Sequence, residues 1–142
     1  MSEESLPVWN LMRTAHVVGL RFGEVFAATD LTPTQFAVLI LLEDDDGPTQ
    51  AELARRVLVR PQSVGALITT LVERGLVVRD GPGGRGRRAG IALTDAGRAA
   101  VARAWPSVRA FNSAATLGLS PAQSAMLDEI LDRVRRTMEE GD

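Results

Sequence analysis

Residues 49–79, TQAELARRVLVRPQSVGALITTLVERGLVVR, predict two short helices separated by a tight connection. Thr49 is a favoured N-cap residue and Glu52 follows it at the spacing of a capping box, so the first helix is expected over about 50–57. Pro61 suits the first turn of the second helix, and Gly75 suits its end. This order of elements is that of a helix-turn-helix.

A hairpin is predicted directly after the second helix. The segments LVVR and AGIAL are short strand candidates, with Leu76, Val78, Ile91 and Leu93 facing inward at period two. Residues 79–91 hold four arginines, five glycines and one acid, and most of them form the hairpin loop. Two helices followed by such a hairpin make a winged helix-turn-helix, with the loop as its wing.

Longer helices flank this unit on both sides. Apolar residues recur at helical spacing over 6–28, 95–116 and 121–138, and Pro106 is expected to kink the second of these helices. Residues 33–43 are apolar nearly all round, which indicates a buried helix. We therefore expect a mostly α fold with a small β-hairpin, a single domain over residues 1–142. In it, the winged helix-turn-helix of 32–94 is flanked by dimerisation helices at 6–28 and 95–138.

The charge of the chain is unevenly distributed. The formal net charge is -2, but residues 50–90 hold eight arginines against three acids. The rest of the chain holds eight arginines against fifteen acids. A basic middle with acidic ends predicts a polyanionic partner for the middle; the alternative is chance clustering on a solvated surface.

Several functional classes are excluded by composition. The chain has no cysteine, no lysine and one histidine, so disulfides, metal sites, cofactors bound through lysine and a catalytic triad are not expected. No apolar run is long enough to cross a membrane, and the N-terminus lacks the pattern of a signal peptide. A cytoplasmic protein without catalytic residues is predicted.

Double-stranded DNA is the polyanion that a winged helix-turn-helix is built to bind, because its second helix fits the major groove. The predicted contacts fall on three parts of the unit. The second helix contributes Arg60, Gln62, Ser63, Gly65, Ala66, Thr69 and Thr70; the wing contributes Arg85, Arg87 and Arg88; and Thr49, Gln50 and Arg74 contact the DNA backbone. The alternative for the wing is an exposed hairpin whose arginines only aid solubility.

Two further surfaces are predicted on the flanking helices. A pocket for a small aromatic or carboxylate ligand is expected to involve Trp9, Met12, Arg13, His16, Phe36 and Trp105, since aromatic, thioether and cationic groups suit a planar anion. His16 is equally well explained as a hydrogen-bonded interface residue, and Trp105 as a core residue. A homodimer interface is expected to bury Val8, Leu11, Phe22, Val108, Phe111, Leu127 and Leu131.

The chain resembles the MarR family of bacterial transcriptional regulators over about residues 6–138. The segments LTPTQF, QAELARR, PQSVGALITTLVERGLV and ALTDAG carry the resemblance, in this order and at the family's spacing. It implies a homodimer joined by its terminal helices, two winged domains on a pseudo-palindromic operator, and a small anionic ligand that weakens DNA binding. A ligand-responsive repressor is the function that the resemblance implies.

Two departures from the family pattern affect the predicted DNA contacts. Gly65 and Ala66 stand where the family often has arginine or a polar residue, and Thr70 where a basic residue is common. In the wing, Arg87 aligns with an arginine of the family pattern, but this chain lacks the acid that often braces that arginine. A winged helix that binds protein, without specific DNA binding, is the alternative that fits the absence of basic residues from the second helix.

Overall fold

The computed structural model describes residues 5–44, 48–57, 59–79 and 90–141. In chain order the elements are α1 (Pro7–Phe26), α2 (Pro33–Asp44), α3 (Gln50–Val57), α4 (Pro61–Glu73), β1 (Val77–Arg79), β2 (Ile91–Leu93), α5 (Asp95–Phe111) and α6 (Pro121–Glu140). The predicted mostly helical fold with one antiparallel hairpin is confirmed. Within the described ranges, no helix combines the length and the apolar character that a membrane span requires.

The helix starts follow from local capping residues. At the start of α2, the Thr32 N–H donates to Gln35 Oε1 at 3.0 Å and the Gln35 N–H donates to Thr32 Oγ1 at 3.1 Å. Ser120 and Gln123 make the same reciprocal pair at the start of α6, at 3.0 and 3.2 Å. Each pair satisfies backbone donors that the helix itself leaves without partners, so α2 and α6 each begin with a capping box.

The core of the winged unit joins α2, α3, α4 and β2. Leu39, Leu53, Ile68, Leu71 and Ile91 are among its fully buried side chains, one or two from each of these elements. The inner face of α4 is buried at Val64, Ile68 and Leu71, and Leu67 and Val72 are half-buried at its edges. Burial of this face fixes which side of α4 is left for a partner.

The inward residues of β1 differ from the prediction. Val77, not Val78, is buried, and Val78 is 48% exposed. Val77 pairs with Leu93, so these two side chains share the inner face of the hairpin. Leu76 is also buried but precedes the strand, so the alternation of period two does not extend back to it.

α5 ends at Phe111, five residues before the predicted end. The Asn112 side chain donates to the Val108 carbonyl at 2.8 Å, and Thr116 Oγ1 donates to the Ala110 carbonyl at 2.8 Å. The Val108 carbonyl also accepts the Asn112 backbone N–H at 3.1 Å, but the Ala110 carbonyl accepts the Ser113 N–H at 3.3 Å, a spacing of three residues instead of the four of a continuing helix. Side-chain donors and this tighter turn thus occupy the last carbonyls of α5. The prediction of a helix to residue 116 was wrong because it ignored this competition.

The chain divides into two compact units, residues 1–105 and 106–142, and the boundary lies inside α5. Pro106 stands at that boundary within the helix. Proline has no N–H to donate to the preceding turn, which weakens the helix locally. The predicted kink at Pro106 and the description of the chain as a single domain stay predictions.

Candidate nucleic-acid interface

The outer face of α4 is exposed and carries no charged residue before Glu73, at its end. Gln62, Ser63, Ala66, Thr69 and Thr70 are exposed on it, as predicted for a surface that meets a partner. Gly65 is half-buried between them. No charged residue occurs in α4 before Glu73, so any positive charge near this face comes from neighbouring segments.

The N-terminus of α4 carries no side-chain cap. Arg60 occupies the N-cap position, is exposed, and makes no capping hydrogen bond, while Pro61 begins the helix. The first turn also contains no acidic residue. N–H groups at an uncapped helix start, together with the helix dipole and an arginine, suit a phosphate group.

Thr49 and Gln50, predicted to contact the DNA backbone, lie at the start of α3. Thr49 Oγ1 accepts the Glu52 N–H at 3.1 Å and so caps the helix, as predicted. Gln50 lies against α4, because its Oε1 is 3.9 Å from the position that a Cβ on Gly65 would occupy. The side-chain amide of Gln50 therefore adjoins the outer face of α4.

Arg74, the third residue predicted to contact the DNA backbone, is tied to the start of α2. Its Nη1 donates to Gln35 Oε1 at 3.2 Å, across 39 residues of sequence. The same oxygen accepts the Thr32 N–H of the capping box. Arg74 is exposed, so a phosphate contact stays a prediction, but the residue also joins the end of α4 to α2.

The turn that follows α4 is also held by the start of α5. Thr94 Oγ1 donates to the Gly75 carbonyl at 2.6 Å and accepts the Gly97 N–H at 3.0 Å. The Thr94 N–H donates to the Leu76 carbonyl at 3.1 Å. Capping residues of α2 and α5 thus hydrogen-bond to the end of α4. Sequence reasoning missed these contacts, because a capping motif does not indicate a second partner for its residues.

The wing arginines Arg85, Arg87 and Arg88 lie outside the described residues. The strands that carry the loop are described, and they pair from Val77 with Leu93 to Arg79 with Ile91. The contacts predicted for the wing stay predictions.

Four of the predicted pocket residues lie on one face of α1. Trp9 and Met12 are 57% and 60% exposed, and Arg13 and His16 are also exposed. Their spacing of three and four residues places them side by side along the helix.

The other two predicted pocket residues belong to an aromatic cluster. Phe36 is buried and its ring centroid lies 5.6 Å from that of Trp105 and 5.4 Å from that of Phe26. Phe26 lies 17 residues after Trp9, roughly 25 Å along α1. In the described chain the predicted pocket residues thus form two groups, an exposed one on α1 and the ring pair of buried Phe36 and Trp105, which is 36% exposed.

The predicted dimer residues differ in how far the single chain already covers them. The exposed members are Val8, Leu11 and Leu131, and the half-buried ones are Phe22, Phe111 and Leu127. Val108 is only 6% exposed, so it has little surface left to give to a partner. The structure therefore favours Val108 as a packing residue within the chain and leaves six candidates for the interface.

The polar and charged side chains of the described ranges are all at least partly exposed. No polar or charged side chain is buried among these residues, and no three His, Cys, Asp or Glu side chains lie close enough together to hold a metal ion.

Comparison with known proteins identifies the family. Residues 29–88 match the family model described as MarR family. An HTH-type transcriptional regulator of Bacillus cereus is 31% identical over 134 residues, which cover 93% of this chain and 89% of that protein. The chain belongs to the MarR family. The predicted resemblance is thus confirmed.

Solved structures extend the likeness to the fold. The MarR-family chain matches the transcriptional repressor CouR bound to a 23-mer DNA duplex with a TM-score of 0.79 at 31% identity, covering 92% of each chain. CouR bound to p-coumaroyl-CoA matches with a TM-score of 0.77 at 31% identity, again covering 92% of each chain.

A mycobacterial relative shows the same likeness. The HTH-type transcriptional repressor Rv2887 of Mycobacterium tuberculosis is 29% identical over 124 residues, which cover 87% of this chain and 89% of that protein. Its complex with salicylic acid matches with a TM-score of 0.74 at 27% identity, covering 94% of this chain and 99% of the other. The winged-helix architecture of this MarR-family chain is therefore shared with repressors solved with DNA and with aromatic ligands.

Proposed function

We propose that this chain is a homodimeric transcriptional repressor that binds pseudo-palindromic double-stranded DNA and is released by a small aromatic carboxylate or a related ligand. DNA binding places its site of action in the cytoplasm. The proposed role is one of binding and requires no catalytic residue.

The exposed outer face of α4 is the observation that carries this proposal. This face belongs to a fold that matches a repressor solved on a DNA duplex. An α-helix fits the major groove, which is about 12 Å wide. The uncapped N-terminus of α4, with Arg60 beside it, supports a phosphate contact at the edge of that groove.

A homodimer is supported by the exposed apolar side chains of the terminal helices. Val8, Leu11, Ile130 and Leu131 are large hydrophobic residues that the single chain leaves exposed. Large apolar surfaces of this kind mark sites of association. A two-fold dimer binds two inverted half-sites, whose centres should lie roughly 34–36 Å apart.

We expect the chain to be a dimer by light scattering at micromolar concentration, and to protect two inverted half-sites in footprinting of duplex DNA at low salt. The double change Val8→Asp and Leu131→Asp should give monomers, because it buries charge in the interface. It should also abolish the two-fold footprint. Val78→Asp is the control for an added surface carboxylate: it places one such charge at an exposed apolar position on the hairpin and should leave the dimer intact.

A wild-type monomer, or protection of one isolated half-site, would contradict the proposed dimer. The alternative of a protein-binding winged helix is favoured by the absence of basic residues from α4. It predicts that no duplex DNA binds even at low salt, where phosphate contacts are strongest.

A ligand site is proposed at the exposed group of α1, which combines Trp9 and Met12 with Arg13 and His16. The relatives solved with salicylic acid and with p-coumaroyl-CoA support an aromatic ligand with a carboxylate or thioester group. An arginine beside an aromatic ring suits such a ligand, since the cation pairs with the carboxylate and the ring packs on the ligand. The ligand regulates DNA binding only if it favours one conformation of the dimer over another.

We expect salicylate, used as the probe, to weaken DNA binding by the wild-type protein. Arg13→Ala and His16→Ala should each reduce the affinity for salicylate by about tenfold or more, since one charge-assisted hydrogen bond contributes about 1.5–3 kcal/mol. Arg21→Ala is the matched control, because Arg21 is an exposed arginine of the same helix paired with Glu24 at 3.3 Å. Salicylate titrations monitored by DNA release measure the effect. An unchanged response in both variants would place the ligand elsewhere.

A further inference from the structure

The hydrogen-bonding capacity of the outer face of α4 points to the kind of base pair it reads, and this inference rests on the proposed DNA binding. One continuous patch is formed by four residues at positions i, i+3, i+4 and i+7 of the helix, namely Gln62, Gly65, Ala66 and Thr69. We refer to these four residues as the reading patch.

The threonine hydroxyls on this face are already used as donors. Thr69 Oγ1 donates to the Gly65 carbonyl at 2.9 Å, and Thr70 Oγ1 donates to the Ala66 carbonyl at 3.0 Å. A hydroxyl has one proton, so each threonine offers an outside partner its methyl group and its oxygen lone pairs, but no donor. The amide of Gln62 is then the one side-chain donor in the reading patch.

The centre of the reading patch is shallow. Gly65 has no side chain, and a Cβ added there would meet nothing closer than Gln50 Oε1 at 3.9 Å. The fold therefore does not require a glycine at this position, although glycine within a helix costs about 0.5–1 kcal/mol relative to alanine. A shallow centre lets base edges approach the helix closely.

We propose that the reading patch recognises an A·T-rich half-site, with Ala66 and Thr69 contacting the 5-methyl group of thymine and Gln62 pairing with adenine. Thymine is the base that presents a methyl group in the major groove, and alanine and threonine methyl groups contact it. A glutamine amide matches adenine N6 and N7, whereas guanine is read mainly by arginine or lysine. The reading patch has neither of these cations.

The test begins with a duplex selected by the wild-type protein from a random pool at low salt. The selected half-sites should be rich in A·T pairs. The same duplex is then made with 2′-deoxyuridine in place of thymidine, which removes the methyl groups and keeps the base pairing. Affinity should fall about fourfold for each methyl group contacted, and about fifteenfold when one is contacted in each half-site.

Variants connect this loss to individual side chains. Ala66→Gly and Thr69→Ser each remove one methyl group and should reduce the preference for thymidine over deoxyuridine. Thr69→Val keeps a methyl group without the hydroxyl and should retain that preference. Ala102→Gly, at an exposed position of α5, controls for the helix destabilisation that glycine causes.

The outcomes separate this inference from the proposed function. If the wild-type protein binds the thymidine and deoxyuridine duplexes equally, or selects G·C-rich half-sites, the reading patch does not recognise thymine although DNA binding stands. If no duplex is bound at low salt, the proposed function fails, and this inference fails with it.

Discussion

Replacing Arg85, Arg87 and Arg88 by alanine is expected to reduce the slope of log affinity against log salt concentration by about five. Each phosphate contact releases condensed counterions and contributes about 0.9 to that slope on duplex DNA. Three arginines in each of two subunits make about six contacts per dimer if all of them reach phosphate. These residues lie outside the described ranges, so the expectation depends on their charge and on their position between β1 and β2.

The single change Arg87→Ala distinguishes two roles of the wing. If Arg87 alone enters the minor groove, this change should reduce the slope by about two and should also weaken the preference for A·T-rich flanks. The triple variant should then add little to either effect. The measurement is affinity against salt for the wild type and both variants, with thermal melts to verify folding.

A charge-matched control is available in α6. Arg133, Arg135 and Arg136 are exposed, and the latter two pair with Asp132 on the helix surface. Exposed ion pairs of this kind contribute little to stability. Changing these three arginines to alanine removes the same charge and should leave the slope nearly unchanged. Equal slopes for the wild type and both wing variants would mean that the wing arginines do not contact DNA.

Gly97→Ala is expected to lower the free energy of unfolding by about 2–3 kcal/mol. Gly97 is buried in the first turn of α5. A Cβ on it would overlap the Leu76 carbonyl oxygen and lie 2.7 Å from Leu93 Cδ1. Because one of these neighbours is backbone, the start of α5 must move away from the turn that ends α4.

The thermal midpoint of Gly97→Ala should fall by roughly 6–12 °C at fixed protein concentration. Gly65→Ala is the matched control for stability, since the added Cβ meets nothing closer than 3.9 Å. That change should raise the free energy of unfolding by about 0.5–1 kcal/mol, because alanine is the better helix former. A melting temperature of Gly97→Ala within a degree of the wild type would show that α5 need not lie this close to Leu76.

The candidate DNA-binding face was largely predictable from the sequence. The apolar spacing of Val64, Ile68 and Leu71 determines the inner side of α4, and the polar residues between them were correctly predicted to be exposed. Periodicity is sufficient here because a helix that buries one face must expose the opposite one. The role of each exposed residue toward DNA stays a prediction, since periodicity says nothing about a partner.

The sequence by itself determined where the helices begin, as at Thr32 and Ser120, because a capping box uses hydrogen bonds between residues three positions apart. Only the tertiary structure decided that Val77 rather than Val78 faces the core, since the inner face of β1 depends on its pairing with β2. The bond from Arg74 to Gln35 likewise joins residues 39 positions apart. Such partners meet only because the packing of α2 against its neighbours brings them together, and no local pattern encodes that distance.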